Sequence, residues 1–396
     1  MGGSLLGRII SRTAGVGPPA LGEILYRTLA CMIPEIAPVI EGAELLLIPL
    51  RLRHPFRSSR GTVHERPVIL VALHGDGVTG WGECVALAVR GYAPETAESA
   101  WSVLSGRLLP ALLRGEPERS WMRDVPMASA AIEMAAWDLA AKRAGRPLCE
   151  MLGGSVRPVP AGVSFGFEDD RDALLRRVEQ CLVEGYHRIK LKIEPGRDLE
   201  TLTHVRARFP EAVLSADANG GYRLVDLVRL RELDNLGLAM LEQPLEREDL
   251  RGHAVLQEAL RTPICLDESI RSVKDARLAI AMGSARVINL KPGRVGGFGQ
   301  ALQIHDLCRA WNVPLWCGGM LESGVGRAHN VALATLPGFN VPGDLSASRR
   351  YWERDLVQPE WELAAGALTP VEAPGIGIEL DRGYIKALAT RCETFP

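Results

Sequence analysis

The first third of the chain combines short apolar runs with helical spacing. Apolar runs at residues 42–50 and 67–74 predict two β-strands. The glycine-rich segment 75–83 that follows is typical of a turn. Helical spacing then predicts helices over about 94–113 and about 127–143, the second of which is rich in alanine. Together these elements predict one small α+β domain.

From residue 158 onward, short apolar runs alternate with amphipathic stretches of helical length. The runs occupy residues 158–165, 187–193, 212–219, 238–245, 262–269, 285–292, 313–319 and 339–344. Strands that alternate with helices indicate parallel β/α units. Eight runs at a regular pitch favour a closed barrel of the α/β class. An open, doubly wound sheet is the alternative, because strand counts taken from sequence vary.

The pattern divides the chain into four segments. We predict an N-terminal extension over 1–40, an α+β capping domain over 41–156 and a (β/α)7β TIM-like barrel over 157–348. A C-terminal segment over 349–396 is expected to return to the capping domain and complete it. The extension has no acidic residue before Glu23, and we expect it to be dispensable.

Composition excludes several classes of protein. A net charge of -2 and an aromatic content of 5% argue against a nucleic-acid-binding surface. No stretch approaches 18 uncharged apolar residues, so no membrane span is expected. The eight cysteines are scattered and form no C-x-x-C pair, which is typical of reduced residues in a cytoplasmic protein.

Charged residues follow five consecutive apolar runs at a similar depth. They are Lys192, Asp217, Glu242, Asp267 and Lys291, at intervals of 25, 25, 25 and 24 residues. A single charge of this kind is commonly a helix cap or a solvated loop residue. Five at one pitch predict side chains at the carboxyl ends of adjacent barrel strands, the face where barrel enzymes carry their active sites.

The three carboxylates in this series predict a metal site. Asp217, Glu242 and Asp267 offer oxygen ligands, which suit Mg²⁺, with Mn²⁺ as the alternative. No clustered His or Cys accompanies them, so zinc is not expected. Lys192 and Lys291 flank the carboxylates in strand order and should face one bound ligand from opposite sides.

Two lysines also lie two residues apart on one predicted strand. Lys190 and Lys192 should share a face, because side chains two apart on a strand point the same way. Two adjacent ammonium groups repel each other, which should lower a pKa and prepare one lysine to act as a base. Asn219, two residues past Asp217, should face the same mouth.

A metal ion with a lysine on each side indicates proton abstraction next to a carboxylate. The expected ligand is therefore a small-molecule carboxylate substrate. The ion would stabilise the negative charge that develops when the proton leaves. One lysine permits elimination, whereas two on opposite faces permit racemisation. A non-catalytic scaffold barrel would be expected to lack at least one of the five charges, and all five are present.

A resemblance to a known family rests on six segments: RIKLKIEPGRD, SADAN, LEQPL, PICLDES, INLKPGRVGG and WCGGMLESGVGRAHN. Together they resemble the muconate-lactonizing-enzyme branch of the enolase superfamily. More narrowly, they are similar to the o-succinylbenzoate synthase / N-succinylamino-acid (N-acylamino-acid) racemase group. The similarity runs from about residue 42 to 395. We expect a cytoplasmic homo-oligomer.

The resemblance implies a role for each residue of the site. Lys192 would be the base, and Lys291 the lysine on the opposite face. Asp217, Glu242 and Asp267 would bind Mg²⁺. The substrate-binding residues implied by the resemblance are Lys190, Ser164, Asn219, Glu268, Gly318, Gly319 and Met320.

The resemblance also assigns a function to the first predicted domain. Residues 55–62, PFRSSRGT, match a mobile loop that closes over the site. Arg60 stands where an aromatic residue is expected, so the specificity set by this loop stays open. The N-terminal extension has no counterpart in the family.

Two activities are compatible with these residues. One is the synthase reaction, a dehydration of 2-succinyl-6-hydroxy-2,4-cyclohexadiene-1-carboxylate in menaquinone biosynthesis. The other is racemisation of N-succinylamino acids, alone or as a second activity. Arg294, close to Lys291 in the KPGR segment, resembles racemase-competent members. Because the catalytic residues coincide, the sequence leaves both activities open.

Overall fold

The computed structural model describes residues 40–59, 61–116 and 124–396 of the chain. Almost all of the extension predicted over 1–40, and Arg60 of the predicted closing loop, lie outside these residues. The four-segment division of the chain remains a prediction at its boundaries. Along the described residues, no helix combines the length and the apolar character needed to cross a membrane.

The strands and helices are as follows. The strands, in chain order, are β1 (Gly42–Ser58), β2 (Gly61–Gly75), β3 (Val78–Cys84), β4 (Val159–Pro160), β5 (Gly162–Phe165), β6 (Arg188–Lys192), β7 (Leu214–Asp217), β8 (Met240–Glu242), β9 (Ile264–Leu266), β10 (Val287–Leu290), β11 (Leu315–Cys317), β12 (Val357–Gln358), β13 (Ala367–Leu368), β14 (Glu379–Leu380) and β15 (Arg391–Phe395). The α-helices are α1 (Ala97–Val103), α2 (Leu109–Leu113), α3 (Pro126–Arg143), α4 (Leu148–Met151), α5 (Arg171–Val183), α6 (Leu199–Arg208), α7 (Leu227–Leu233), α8 (Leu250–Ala259), α9 (Val273–Met282), α10 (Pro292–Val295), α11 (Phe298–Ala310), α12 (Gly324–Ala334) and α13 (Arg382–Leu388). A π-helical segment, Leu104–Leu108, joins α1 to α2.

An antiparallel sheet and helix α3 form the core of the capping domain. The order of its strands is β15-β1-β2-β3. Strand β15 comes from the end of the chain and pairs with the start of β1, where Ala43 lies opposite Phe395. The predicted return of the C-terminal segment to the capping domain is therefore confirmed.

The segment predicted as a turn over 75–83 is mostly a strand, so that prediction was wrong. The turn is confined to Asp76 and Gly77, whose φ angles of 51° and 74° suit a tight hairpin. Strand β3 follows and pairs with β2. The glycines of β3 are typical of a turn in the sequence. In the structure they are required because β3 packs closely against α3.

Gly82 is the tightest of these contacts. A Cβ at this position would lie 2.0 Å from the carbonyl oxygen of Ala131 on α3. The carbonyl oxygen is a backbone atom, and a Cβ is bonded directly to the backbone, so neither atom can move aside by a change of rotamer. The strand and the helix would therefore have to separate. We expect Gly82→Ala to lower the free energy of unfolding by about 1–3 kcal/mol, the usual range for overpacking, or more.

Urea unfolding of the Gly82→Ala variant would measure this loss. Gly106 offers a matched control, since an added Cβ there meets nothing within 4 Å. Gly106→Ala should leave stability unchanged or raise it by about 0.4–1 kcal/mol. Equal stability of the two variants would contradict the packing argument.

The barrel domain is built on seven parallel strands in the order β11-β10-β9-β8-β7-β6-β5. These strands are short and buried, as expected for strands covered by helices on one side and barrel interior on the other. The helices begin at ordinary capping residues. Asp170 accepts a hydrogen bond from the Ala173 amide at the start of α5, and Ser272 does the same for Asp275 at the start of α9.

The eighth predicted barrel strand, residues 339–344, is irregular. It forms isolated bridges to both edges of the sheet, Leu315 with Phe339 and Ala161 with Gly343. Pro342 lies in this segment and has no amide hydrogen for a continuous ladder. The segment nevertheless lies between the first and seventh strands, which agrees with a (β/α)7β TIM-like barrel.

Candidate active site

The barrel strands place the charged strand ends side by side. Lys192 lies opposite Asp217 in the β6–β7 ladder, and Asp217 lies opposite Glu242 in the β7–β8 ladder. Asp267 and Lys291 each directly follow the last residue of their strands, β9 and β10. Since parallel strands end at one rim of the barrel, the structure brings all five residues together there.

Lys190 is held by carboxylates on three sides. Its Nζ lies 2.9 Å from Glu242 Oε2 and 3.3 Å from Asp217 Oδ2. A third carboxylate, Asp344, is closer, with Oδ2 at 2.6 Å. Lys192 donates to Asp217 Oδ2 and to Asn219 Oδ1, both at 2.6 Å. The two lysines on β6 thus bind to the same group of acidic side chains.

Lys291 approaches from the other side of the carboxylates. Its Nζ donates to Asp267 Oδ2 at 2.8 Å and to the Tyr92 hydroxyl at 3.1 Å. Tyr92 comes from the capping domain and donates to Asp267 Oδ1 at 3.1 Å. Arg294 donates to both Asp267 and Tyr92. Asp267 is therefore surrounded by donors from the barrel and from the cap.

These side chains open into a cavity of about 270 Å³ between the two domains. Lys192 and Lys291 both line it, as do Asp217 and Asp267. In the sheet, β7, β8 and β9 lie between the strands that carry the two lysines. A ligand in the cavity can therefore meet one lysine on each side, with the carboxylates between them.

Burial and neighbouring charges shift the pKa of the carboxylates in opposite directions. Burial, with repulsion from Asp217, raises the pKa of Glu242 to about 7. Burial alone would also raise the pKa of Asp267, but the adjacent Lys291 and Arg294 lower it overall. Glu242 is thus the carboxylate most readily protonated near neutral pH.

The adjacent ammonium groups predict a lowered pKa for one of the two lysines, and for Lys190 the shift is in the opposite direction. Burial does act to lower its pKa, but Asp344, Glu242 and Asp217 outweigh this effect and raise it well above the usual value. Repulsion between Lys190 and Lys192 by itself would lower a pKa. Folding places three carboxylates around Lys190, and their attraction outweighs this repulsion.

The predicted metal site consists of Asp217, Glu242 and Asp267. Among the described residues, no group of three or more His, Cys, Asp or Glu side chains is arranged to hold an ion. Lysine ammonium groups lie against all three carboxylates. The donor set itself fits a hard divalent cation, since it consists of carboxylate oxygens on adjacent strands. Asn289 donates to Glu242 Oε1 at 2.8 Å and fixes that carboxylate.

The predicted substrate-binding residues occupy different places. Ser164, Asn219, Gly319 and Met320 line the cavity together with Lys190. The Ser164 hydroxyl is buried, and no described residue serves as its hydrogen-bond partner. Ser164 therefore brings a polar atom without a described partner to the wall of the cavity.

Two other predicted residues lie behind the cavity wall. Glu268 accepts a hydrogen bond from the Asn219 side chain at 3.0 Å and is not among the described residues that line the cavity. Gly318 lies behind Lys291, where a Cβ would be 2.5 Å from Lys291 Cε. Gly318 thus leaves room for Lys291.

Two family models together match most of the chain. The mandelate racemase / muconate lactonizing enzyme N-terminal domain matches residues 43–153, and the enolase C-terminal domain-like family matches residues 173–384. The chain belongs to the enolase superfamily. The resemblance of its motifs to the muconate-lactonizing-enzyme subgroup of that superfamily is thereby confirmed.

Relatives within the superfamily carry two names. An o-succinylbenzoate synthase of Geobacillus kaustophilus is 49% identical over 356 residues, which cover 88% of this chain and 95% of the relative. An N-succinylamino acid racemase of Thermus thermophilus is 47% identical over 355 residues, or 88% of this chain and 96% of the relative. A solved enolase-superfamily structure from Listeria innocua has a TM-score of 0.84 at 40% identity and covers 90% of this chain and 98% of that one.

Enolase-superfamily members use a divalent metal ion, in agreement with the carboxylate donor set.

The structure adds residues that were not predicted from the sequence. Tyr92 lies in a capping-domain loop with no pattern that marks it. Asp344 ends the eighth barrel segment, so the rule that selected the other strand-end charges could have found it. Asp344 also accepts from Arg188 at 3.0 Å, which fixes it against Lys190.

Proposed function

We propose that the chain is an o-succinylbenzoate synthase, which dehydrates 2-succinyl-6-hydroxy-2,4-cyclohexadiene-1-carboxylate to 2-succinylbenzoate in menaquinone biosynthesis. The observation that carries this proposal is one cavity lined by both Lys192 and Lys291, whose strands are separated in the sheet by the three strands that carry the carboxylates. The synthase relatives support the choice of substrate. The chain is then a lyase.

Lys192 is assigned as the base. To act as a base it must be the neutral amine, so it must give up a proton and its ion pair with Asp217, 2.6 Å away, before its nitrogen can accept a proton from the substrate. It then takes the proton from the carbon next to the substrate carboxylate. The electron pair of that C–H bond forms the new double bond as the C–O bond to the hydroxyl breaks. The departing hydroxyl takes a proton from the Lys192 ammonium group and leaves as water, which returns Lys192 to the neutral amine.

Lys291 and the cap complete the arrangement. In the dehydration, the Lys291 ammonium group stabilises negative charge that develops on the substrate. Its contacts with Asp267 and the Tyr92 hydroxyl orient it. The capping-domain residues around the cavity limit the access of water and strengthen these electrostatic interactions.

Asp217, Glu242 and Asp267 are the residues that would hold a divalent ion, Mg²⁺ as the first candidate and Mn²⁺ as the alternative. When bound, such an ion supplies an electrophile for the substrate carboxylate. Lys190 and the Ser164 hydroxyl are assigned to substrate contacts because both line the same cavity. Glu268 supports Asn219 from behind.

N-succinylamino-acid racemase is the second candidate, alone or as a second activity. Racemisation requires an acid/base group on each face of the substrate, and Lys291 faces Lys192 across the cavity. Arg294 lies beside Lys291 and donates a hydrogen bond to Asp267, which also accepts one from Lys291. The racemase relatives support this activity. The cytoplasmic location and the homo-oligomeric assembly remain predictions.

Assaying both substrates with the full chain and Mg²⁺ in D₂O tests the proposal. We expect formation of 2-succinylbenzoate from the diene substrate, and solvent deuterium in any N-succinylamino acid that is racemised. Removal of the metal with EDTA should abolish both reactions, and Mg²⁺ should restore them. Racemisation without dehydration would replace the synthase assignment with the racemase. Activity on neither substrate would overturn both.

A further inference from the structure

A second cavity lies beside the active-site cavity, between the β1–β2 hairpin and the loop after β5. Its volume is about 210 Å³, and it shares Phe56 and Tyr351 with the active-site cavity. Four basic side chains line it, namely His54, Arg57, Arg177 and Arg350. His54 and Arg57 come from the cap, whereas Arg177 and Arg350 come from the barrel domain. Arg57 is paired with the exposed carboxylate of Asp169.

Among the described residues, no carboxylate forms an ion pair with Arg350. Its guanidinium lies over the rings of Phe165 and Tyr351, with centroid distances of 4.9 and 5.8 Å. One nitrogen, Nη2, donates to the Ser164 carbonyl at 3.0 Å. Its Nε is buried and meets no acceptor among the described residues. The aromatic rings and one carbonyl therefore position this charge but do not neutralise it.

Arg177 lies over the same Phe165 ring, 5.4 Å from its centroid, and donates to Glu168 Oε2 at 3.1 Å. Burial and then the charge of Arg350 lower the pKa of Arg177. The pKa of His54 is lowered by burial and then by Arg177 and Arg350. His54, Arg177 and Arg350 thus lie close enough to influence one another, and Glu168 is the one acidic residue among the described residues that line the cavity.

Ser164 connects this second cavity to the reaction site. Its carbonyl accepts a hydrogen bond from Arg350, while Ser164 is also among the residues that line the active-site cavity. Tyr351 contributes to the walls of both cavities. An extended ligand held near Lys190 and Ser164 therefore has a positively charged region next to it, on the side of the first barrel strand.

We propose that the cavity lined by His54, Arg177 and Arg350 is an anion subsite that binds the distal carboxylate of a succinyl-bearing substrate. This proposal rests on the proposed function, because both candidate substrates carry a succinyl carboxylate remote from the reacting carbon. Guanidinium groups match a carboxylate in charge and in geometry. The subsite would explain how one site serves both a cyclic synthase substrate and an acyclic amino-acid derivative.

The test compares N-succinyl and N-acetyl derivatives of one amino acid, which differ in the distal carboxylate. Arg177→Met should lower kcat/KM for the N-succinyl substrate about 10- to 100-fold, mainly through KM, as expected for loss of a charged hydrogen bond. The same variant should change kcat/KM for the N-acetyl substrate less than about twofold. Arg177→Lys, which keeps the charge, should recover part of the loss.

Arg176 provides the matched control on the same helix. Its side chain is 68% exposed and is not among the described residues that line the cavity. Arg176→Met should leave both substrates unaffected. Glu168→Gln should change KM in the opposite direction. Removing the carboxylate beside Arg177 should lower KM for the N-succinyl substrate. This result does not depend on whether Arg177→Met folds.

Each outcome separates the two proposals. Wild-type protein that turns over neither derivative nor the synthase substrate would overturn the proposed function. Wild-type turnover with equal losses on both derivatives in Arg177→Met, or with no loss on either, would overturn the subsite. Inorganic phosphate that changes N-acetyl turnover in wild type but not in Arg177→Met would assign the cavity to free anions and overturn the substrate assignment.

Discussion

Replacing Lys192 with alanine is expected to lower kcat of the dehydration at least about 10²- to 10⁴-fold, the usual contribution of a general base. Lys192 lines the cavity and is the lysine at the end of β6. The variant should still bind Mg²⁺, because Asp217 loses a competing cation 2.6 Å away and keeps its carboxylate oxygens. Kinetic assay and titration calorimetry with Mg²⁺ measure the two effects separately.

Two variants sharpen this result. Lys192→Arg keeps a positive charge but cannot give up its proton to act as a base, so it should be similarly inactive. Lys274→Ala removes an exposed lysine on α9 and should retain full activity. Turnover that survives in Lys192→Ala, in protein whose circular dichroism matches wild type, would refute the assignment of the base.

Replacing Lys291 with alanine should separate the two activities. Racemisation needs a proton donor on the face opposite the base, so it should fall about 10²- to 10⁴-fold. Lys192 should still exchange the α-proton of one enantiomer with D₂O, since that step needs a lysine on one face. Dehydration keeps its base and should fall less than racemisation.

Deuterium incorporation into each enantiomer, followed by NMR and chiral chromatography, measures this difference. Lys386→Ala, at an exposed position of α13, is the control and should behave as wild type. Exchange that is lost from both enantiomers, or retained in both, would contradict the assignment of one lysine to each face. Calorimetry with Mg²⁺ checks that Asp267, the partner of Lys291, can still bind the ion.

Much of the fold followed from local patterns. Apolar runs correspond to buried strands, and amphipathic stretches correspond to helices with one buried face. Their alternation therefore predicted the barrel. The even spacing of the strand-end charges indicated which side chains meet. Strand β3 escaped prediction because Gly80 and Gly82 have the composition of a turn. Only their contact with α3 shows that a side chain would not fit.

The candidate site was predictable where its residues follow strand order and unpredictable where they do not. Tyr92 and Arg350 reach the two cavities from segments remote along the chain. Nothing in their local sequence marks them. Glu268 and Gly318 are not among the described residues that line the cavity, and their contacts with a substrate remain predictions.

The sequence by itself determined the barrel class, the order of charges around its rim and the family. These properties depend on periodicity and on motifs that are local in the chain. Only the tertiary structure decided the electrostatic environment of each charge. Lys190 shows why: its pKa depends on Asp344, Glu242 and Asp217 together, and the distances to these three groups exist only after the barrel closes.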